Sequence, residues 1–261
     1  MPMKYKKAPT KRYAKPYYKK KTGVKGRTRP YYTTLVKAPI IRSPNTVVRK
    51  LTSQTTYFLS PASLNSLNLA RYELGAVQQP SHLNGSWVAN VSQQYPPPTY
   101  STIKDNYQHY VVLGCRLKVR VIPDANPEGQ GQTKLFCALV KSSNDGAITL
   151  STTATALERT TRCARRIAIA NATGTKSIMM ATGYSPRKDL GIKAHGAASE
   201  IHVTFNNGVN DSVVVSGERS NPRYAFLCIK GYNDNDTTLM PQCTVQVIQE
   251  WLVKAYERKA T

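Results

Sequence analysis

The segment 110–122 reads YVVLGCRLKVRVI, and its pattern decides the fold class. In its second half every other residue is apolar, and the residues in between are Arg116, Lys118 and Arg120. The apolar positions are Cys115, Leu117, Val119 and Val121. Alternation with a period of two is typical of a β-strand that buries one face and exposes the other. The segment therefore predicts a strand with an apolar core face and a uniformly basic second face.

Similar short runs, separated by loops rich in Gly, Pro and Asn, occupy the rest of the chain after residue 50. The predicted strands are Thr55–Leu59, Tyr110–Ile122, Lys134–Lys141, Arg166–Ala170, Lys176–Ala181, Glu200–Phe205, Ser212–Val215, Tyr224–Lys230 and Cys243–Val253. One short helix is predicted over Ser63–Leu74, because Leu64, Leu67 and Arg71 would lie near one helical face. About eight strands with so little helical periodicity predict an all-β domain, a single eight-stranded antiparallel jelly roll.

The charge is strongly segregated along the chain. The first 72 residues contain seventeen Lys and Arg, and the first acid is Glu73, whereas the remaining 189 residues contribute only +6 of the net +23. A segment with charge of one sign and few apolar residues is expected to stay disordered until a polyanion neutralises it. We therefore divide the chain into a disordered basic, Tyr-rich N-terminal arm (residues 1–50) and a jelly-roll domain (residues 51–261).

The N-terminal arm interleaves cations with tyrosines, as in KRY at 11–13 and KPYYKKK at 15–21. Lys and Arg neutralise phosphates, and Tyr rings stack on unpaired bases without reading sequence. The predicted nucleic-acid-binding residues of the arm are Lys4, Lys6, Lys7, Lys11, Arg12, Tyr13, Lys15, Tyr17, Tyr18, Lys19, Lys20, Lys21, Lys25, Arg27 and Arg29. The three cations of segment 110–122 are added to this set. An exposed strand face usually carries both signs of charge, so three cations without a carboxylate indicate contact with a polyanion. The same basic clusters are candidate nuclear localisation signals.

No grouping of residues predicts catalysis, a metal site or a cofactor. The four histidines lack the spacing of a zinc site, and the run Gly174-Thr-Lys-Ser177 lacks the first glycine of a phosphate-binding loop. Asp234 and Asp236 are acceptable oxygen ligands for a hard cation, but a solvated turn explains them more simply. Five widely spaced cysteines without a C-x-x-C motif indicate free thiols in a reducing compartment. No stretch reaches the 18 apolar residues of a membrane helix, so we expect no membrane insertion.

The whole layout resembles the capsid proteins of circoviruses and related small circular single-stranded DNA viruses. Three stretches carry the resemblance: YQHYVVLGCRLKV at 107–119, GYSPRKDLG at 183–191 and the closing strand 245–253. The resemblance implies a shell of the T=1 type with sixty copies, a packaged single-stranded DNA genome, host import receptors, a cell-surface receptor, and residence in the virion and the host nucleus. The arm uses Lys and Tyr where those capsids are dominated by Arg, and coats of RNA satellites share the architecture, so an RNA genome stays open.

Two further classes compete with a coat protein. A cellular β-barrel protein that binds single-stranded nucleic acid, or a ribosomal-type protein, predicts monomers or dimers with strong basic patches on the domain itself. An enzyme acting on nucleic acid requires paired carboxylates, and the fourteen acids are scattered along the chain. The sequence favours the coat protein first, the cellular binding protein second and the enzyme last.

Overall fold

The computed structural model of the protein describes residues 45–60, 63–89, 96–126, 131–143, 148, 152–159, 163–189, 191, 201–205, 212–215, 224–233 and 238–259. Residues 1–44, which make up most of the N-terminal arm, lie outside this range, and so does the prediction that the arm is disordered. The first described strand begins at Thr46, before the residue 50 at which the predicted arm ends.

The described residues form thirteen β-strands and three short helices. The strands are β1 (Thr46–Leu59), β2 (Asn68–Glu73), β3 (Ser81–Asn84), β4 (Trp87–Ala89), β5 (Tyr107–Pro123), β6 (Thr133–Ser142), β7 (Cys163–Asn171), β8 (Gly174–Lys176), β9 (Ile178–Tyr184), β10 (Ile201–Thr204), β11 (Ser212–Val215), β12 (Tyr224–Gly231) and β13 (Cys243–Arg258). The helices are α1 (Tyr100–Asn106), α2 (Ala154–Arg159) and α3 (Pro186–Asp189). No helix among the described residues is both long and apolar enough to span a bilayer.

Eight of the strands form two antiparallel sheets. The first sheet has the order β1-β13-β5-β9, and the second sheet has the order β2-β12-β6-β7. Short strands extend the edges: β4 pairs with β1, β10 pairs with β5 and β11, β3 pairs with β2, and β8 pairs with β7. Successive strands switch between the sheets except at the β6–β7 hairpin, which gives the double Greek-key order of a jelly roll. The predicted fold class is confirmed.

The main core lies between the two sheets and is built by the predicted alternation. Leu117, Val119 and Val121 of β5 are fully buried there, beside Trp251 of β13. Burying each of these aliphatic side chains stabilises the fold by about 2 kcal/mol. The alternation breaks before Cys115 because β5 contains a bulge. Gly114 pairs with Leu252, whereas the next pair toward the N-terminus is Val112 with Val253, so Leu113 has no register partner across β13.

The second sheet is apolar on both faces. Its outer face carries Phe136, Ala138 and Val140 of β6 with Phe226 and Cys228 of β12, and these residues pack with Ile148 and with Leu157 of α2. The first sheet differs, because most outward residues of its central strands are polar or charged, with Ile248 as an apolar exception. The outer face of the first sheet is therefore the one that can bind a polar ligand from solvent.

The predicted helix over Ser63–Leu74 is wrong, because residues 68–73 form strand β2. Leu69 packs into the outer cluster of the second sheet, while Ala70 and Tyr72 pack into the main core. A strand buried on both faces loses the period of two, and its apolar residues then mimic helical spacing.

Two boundaries also differ from the prediction. The predicted strand Lys176–Ala181 is two strands, β8 and β9, because the chain changes sheet at Ser177. The strands β1 and β13 extend well beyond their predicted ends, since they pair with each other from Thr46 to Leu59.

Candidate nucleic-acid interface

Fifteen of the eighteen predicted binding residues lie in the N-terminal arm, outside the described residues. The structure places the other three on β5, which is a central strand of the first sheet. Arg116 and Arg120 are exposed, and Lys118 is half-buried between them. Residues at positions i and i+2 of a strand share a face, and an antiparallel strand rises 3.4 Å per residue, so the three Cα atoms are spaced about 6.8 Å apart. The structure therefore brings these three cations into one line.

Strand pairing surrounds this line of cations with an ordered surface. Three rows of four residues cross the outer face of the first sheet. Read from β1 through β13 and β5 to β9, the rows are Thr56, Gln246, Arg120 and Met179; Gln54, Ile248, Lys118 and Ala181; and Thr52, Glu250, Arg116 and Gly183. The cations thus have amide, aliphatic and carboxylate neighbours on one side and small or apolar neighbours on the other.

The outer face of the first sheet also carries a carboxylate, which lies on the neighbouring strand β13. Glu250 of β13 lies opposite Arg116, and its carboxylate forms an ion pair with the Nζ atom of Lys50 on β1 at 2.5 Å. Lys254 lies four residues further along the same face of β13. Strands β1, β5 and β9 contain no Asp or Glu at all. Cations therefore still outnumber carboxylates on this face.

The β9 side of the cation line is low and exposed. Met179 has two thirds of its surface exposed (66%), and Ala181 and Gly183 are exposed as well. Gly183 approaches β5 closely, because a Cβ atom there would lie 2.8 Å from the carbonyl oxygen of Cys115. The Arg and Lys side chains are much longer than these neighbours. The β9 side is thus a shallow, partly apolar strip beside the cations.

A largely buried ion pair connects β9 to the second sheet. Lys141 of β6 donates from Nζ to Asp189 Oδ1 at 2.7 Å and to the carbonyl oxygen of Gly183 at 2.6 Å. Asp189 in turn accepts a hydrogen bond on Oδ2 from the backbone N–H of Ser185 at 2.8 Å. The pair lies at the edge where β6 and β9 meet, so it holds the strip beside β5 in place.

Sequence reasoning missed Lys50, Glu250, Lys254 and Met179 as parts of this surface. Each lies on a different strand from the predicted cations or on a different part of the chain, and only the register places them side by side. In β13, Gln246 lies between buried Val245 and Val247, and Glu250 lies between buried Gln249 and Trp251; this pattern indicated an outward face but not its neighbours.

Metal binding and thiol chemistry find no support in the described part of the chain. No group of three or more His, Cys, Asp or Glu side chains there is placed to hold a metal ion. Asp234 and Asp236 lie outside the described residues. All five cysteines are free thiols, and burial raises the pKa of Cys243 to about 12. Burial also raises the pKa of Cys115, Cys137 and Cys228 far above the usual range, which is the opposite of an activated nucleophile.

The fold is an antiparallel jelly roll of two sheets, and the first sheet carries a mainly cationic outer face. The chain is similar to a chain of Desmodium yellow mottle tymovirus, with 12% identity over 85% of this chain and 94% of that chain and a TM-score of 0.38. It is also similar to the decameric BFDV capsid protein, with 10% identity over 81% of this chain and 99% of that chain and a TM-score of 0.38. A semi-empty particle of the prawn nodavirus of Macrobrachium rosenbergii gives 10% identity over 84% and 98% and a TM-score of 0.36.

These solved structures include viral capsid proteins, and the likeness is one of fold. Identities of 10–12% and TM-scores below 0.5 do not establish a function for this chain. No protein-family model and no curated protein matches it.

Proposed function

We propose that this chain is a structural coat protein that assembles in many copies and packages nucleic acid, with no catalytic role. The observation that carries the proposal is the segregation of charge: an acid-free N-terminal arm precedes a jelly roll that contributes only +7 of the net +23. An arm of this kind binds phosphates without reading sequence, and its tyrosines add stacking on unpaired bases.

The finer proposal is a T=1-like shell of sixty copies around a single-stranded DNA genome, with RNA as the other candidate. Sixty copies of an arm with sixteen cations supply on the order of a thousand positive charges, the scale needed to neutralise much of a small genome. In this proposal the protein resides in the virion and in the host nucleus during assembly, import receptors bind the basic clusters of the arm, and a host cell-surface receptor binds the assembled particle.

The experiment that tests the coat function is negative-stain electron microscopy of the full-length protein, together with the ratio of absorbance at 260 and 280 nm. Uniform small spherical particles with a raised ratio are expected. Small dispersed species that still bind nucleic acid would instead favour a cellular single-strand-binding protein, for which the cationic face of the first sheet would be the main site.

The role of the arm has its own test. Deleting residues 1–42 is expected to leave the two sheets folded, because the core residues all follow Thr46, and to remove most of the salt-sensitive binding. Replacing Tyr13, Tyr17 and Tyr18 with Ala is expected to weaken single-strand binding more than duplex binding, because only unpaired bases can stack. Full retention of binding by the truncated chain would contradict the proposed role of the arm.

A further inference from the structure

We propose that the outer face of the first sheet is a binding track for one extended single strand of nucleic acid that runs along β5. Its phosphates contact Arg120, Lys118 and Arg116 in turn, and its bases lie over the strip formed by Met179, Ala181 and Gly183. The inference rests on the proposed function only in taking nucleic acid as the ligand. It requires neither assembly nor the N-terminal arm.

The spacing of the cations carries the first step. Their Cα atoms repeat about every 6.8 Å along β5. A fully extended single strand places successive phosphates roughly twice as far apart along its axis as the 3.4 Å per nucleotide of a strand within a duplex. One phosphate therefore falls beside each cation without bending of either chain, and β5 holds this repeat over all three residues.

The two sides of the cation line decide where the bases lie. On the β9 side, exposed Met179 and the short residues Ala181 and Gly183 leave depth for flat rings, and a thioether is polarisable enough to pack on them. On the β13 side, Glu250 repels phosphate, and half-buried Ile248 stands level with Lys118. The bases are thus directed over β9, and the phosphates stay over β5.

The same geometry selects single strands over duplexes. The strip is in line with a single strand of the sheet, so only one phosphate chain can follow it. In a duplex the bases are paired inside and the phosphates of one strand curve away from a straight row of cations. Charge still attracts a duplex, but its bases cannot reach Met179, so it loses that part of the binding energy.

Glu250 marks the Arg116 end of the track. Its carboxylate lies opposite Arg116 and is held by Lys50 at 2.5 Å. A fixed negative charge at this point opposes a phosphate on Arg116, whereas Arg120 has Gln246 and Met179 beside it and donates to Ser177 Oγ at 3.4 Å. The Arg120 end is therefore the stronger half of the site.

The experiment is a titration of the full-length protein with a short fluorescent oligothymidylate and with a duplex of equal length, followed by anisotropy at several salt concentrations. The variant R116Q/K118Q/R120Q is expected to flatten the dependence of log K on log salt by about 2, because each single-strand phosphate contact contributes roughly 0.7. At 0.1 M salt this corresponds to an affinity loss on the order of a hundredfold. The matched control is K134Q/R166Q/K176Q, which removes three exposed cations from β6, β7 and β8 and is expected to leave the slope nearly unchanged.

Two further variants test the track without removing a cation. Glu250→Gln is expected to raise single-strand affinity about fivefold, the equivalent of one phosphate contact, because the opposing charge is lost. Ala181→Val adds bulk in the strip at a strand-compatible residue and is expected to weaken single-strand binding while leaving duplex binding unchanged.

Equal slopes for the triple variant and its matched control would overturn the proposal. An unchanged or lower single-strand affinity of the Glu250→Gln variant would also overturn it. So would an Ala181→Val variant whose affinities for the single strand and the duplex fall by the same factor. Electron microscopy of the same preparations separates the two proposals. If no particles form, the coat function is contradicted, and the titration still tests the track. If particles form but the triple variant and its control have equal slopes, only the track is contradicted.

Discussion

The largely buried ion pair between Lys141 and Asp189 offers a quantitative test of how the two sheets are held together. The two side chains are only 10% and 14% exposed, and their atoms Nζ and Oδ1 are 2.7 Å apart. The substitution Asp189→Asn leaves the ammonium of Lys141 without its counter-ion, while the carbonyl oxygen of Gly183, at 2.6 Å, still accepts a hydrogen bond from it. Breaking one half of a buried pair typically costs 3–5 kcal/mol, and we expect about 3 kcal/mol here because that acceptor remains.

The double variant K141M/D189L is expected to recover most of this loss. Apolar side chains of similar volume remove both desolvation penalties together, so the double variant should lie within about 1 kcal/mol of the unaltered chain. The assay is urea unfolding followed by the fluorescence of Trp87 and Trp251, with the midpoint read at constant m-value. Repeating it at tenfold lower protein concentration reveals any contribution from assembly, since that contribution depends on concentration.

A loss below about 1 kcal/mol for Asp189→Asn would refute the reasoning, because such a value is typical of a solvated surface pair. A double variant as unstable as the single one would also refute it, since the damage would then come from packing and not from an unpaired charge. If the reasoning holds, Asp189→Asn should also weaken single-strand binding, because the pair positions β9 beside the cations of β5.

Three other outcomes are expected. Gly85→Ala should destabilise the fold by about 2 kcal/mol in the same unfolding assay, because Gly85 has a φ of 97° and a Cβ there would lie 2.5 Å from Asn68 Oδ1. The control Gly174→Ala, whose Cβ meets nothing within 4 Å, should cost well under half of that. A thiol reagent at pH 8 should modify at most the half-buried Cys163 in the folded protein, because burial raises the pKa values of the thiols. After denaturation it should modify all five cysteines, and rapid modification of a second thiol in the folded protein would contradict this. His82 is exposed, but its ring packs against Tyr57 and Trp87, and this partial desolvation lowers its pKa. The unfolded chain therefore takes up the proton first, and stability should fall as the pH drops below about 6.5. His82→Phe should show a smaller change in urea midpoint between pH 7.5 and pH 5.5, and an equal change would exclude this histidine as the cause.

Local patterns were sufficient for much of the first sheet. Alternation in β5 predicted a strand with the correct inward residues, because this strand has one apolar and one polar face. The same reasoning failed for β2, where Leu69 and Tyr72 are buried on opposite faces and no period remains to be read. It also joined β8 and β9 into one strand, because a change of sheet at a single residue, Ser177, leaves little trace in composition.

By itself, the sequence determined the all-β class, the acid-free N-terminal arm and the line of Arg116, Lys118 and Arg120, because composition and period-two alternation are local properties of the chain. Only the tertiary structure decided what stands beside that line. Lys50, Met179 and Glu250 come from strands far apart in sequence, and hydrogen-bond register alone sets which side chains become neighbours across a sheet. The carboxylate opposite Arg116 and the low strip along β9 are therefore consequences of strand pairing, which depends on the packing of the whole core.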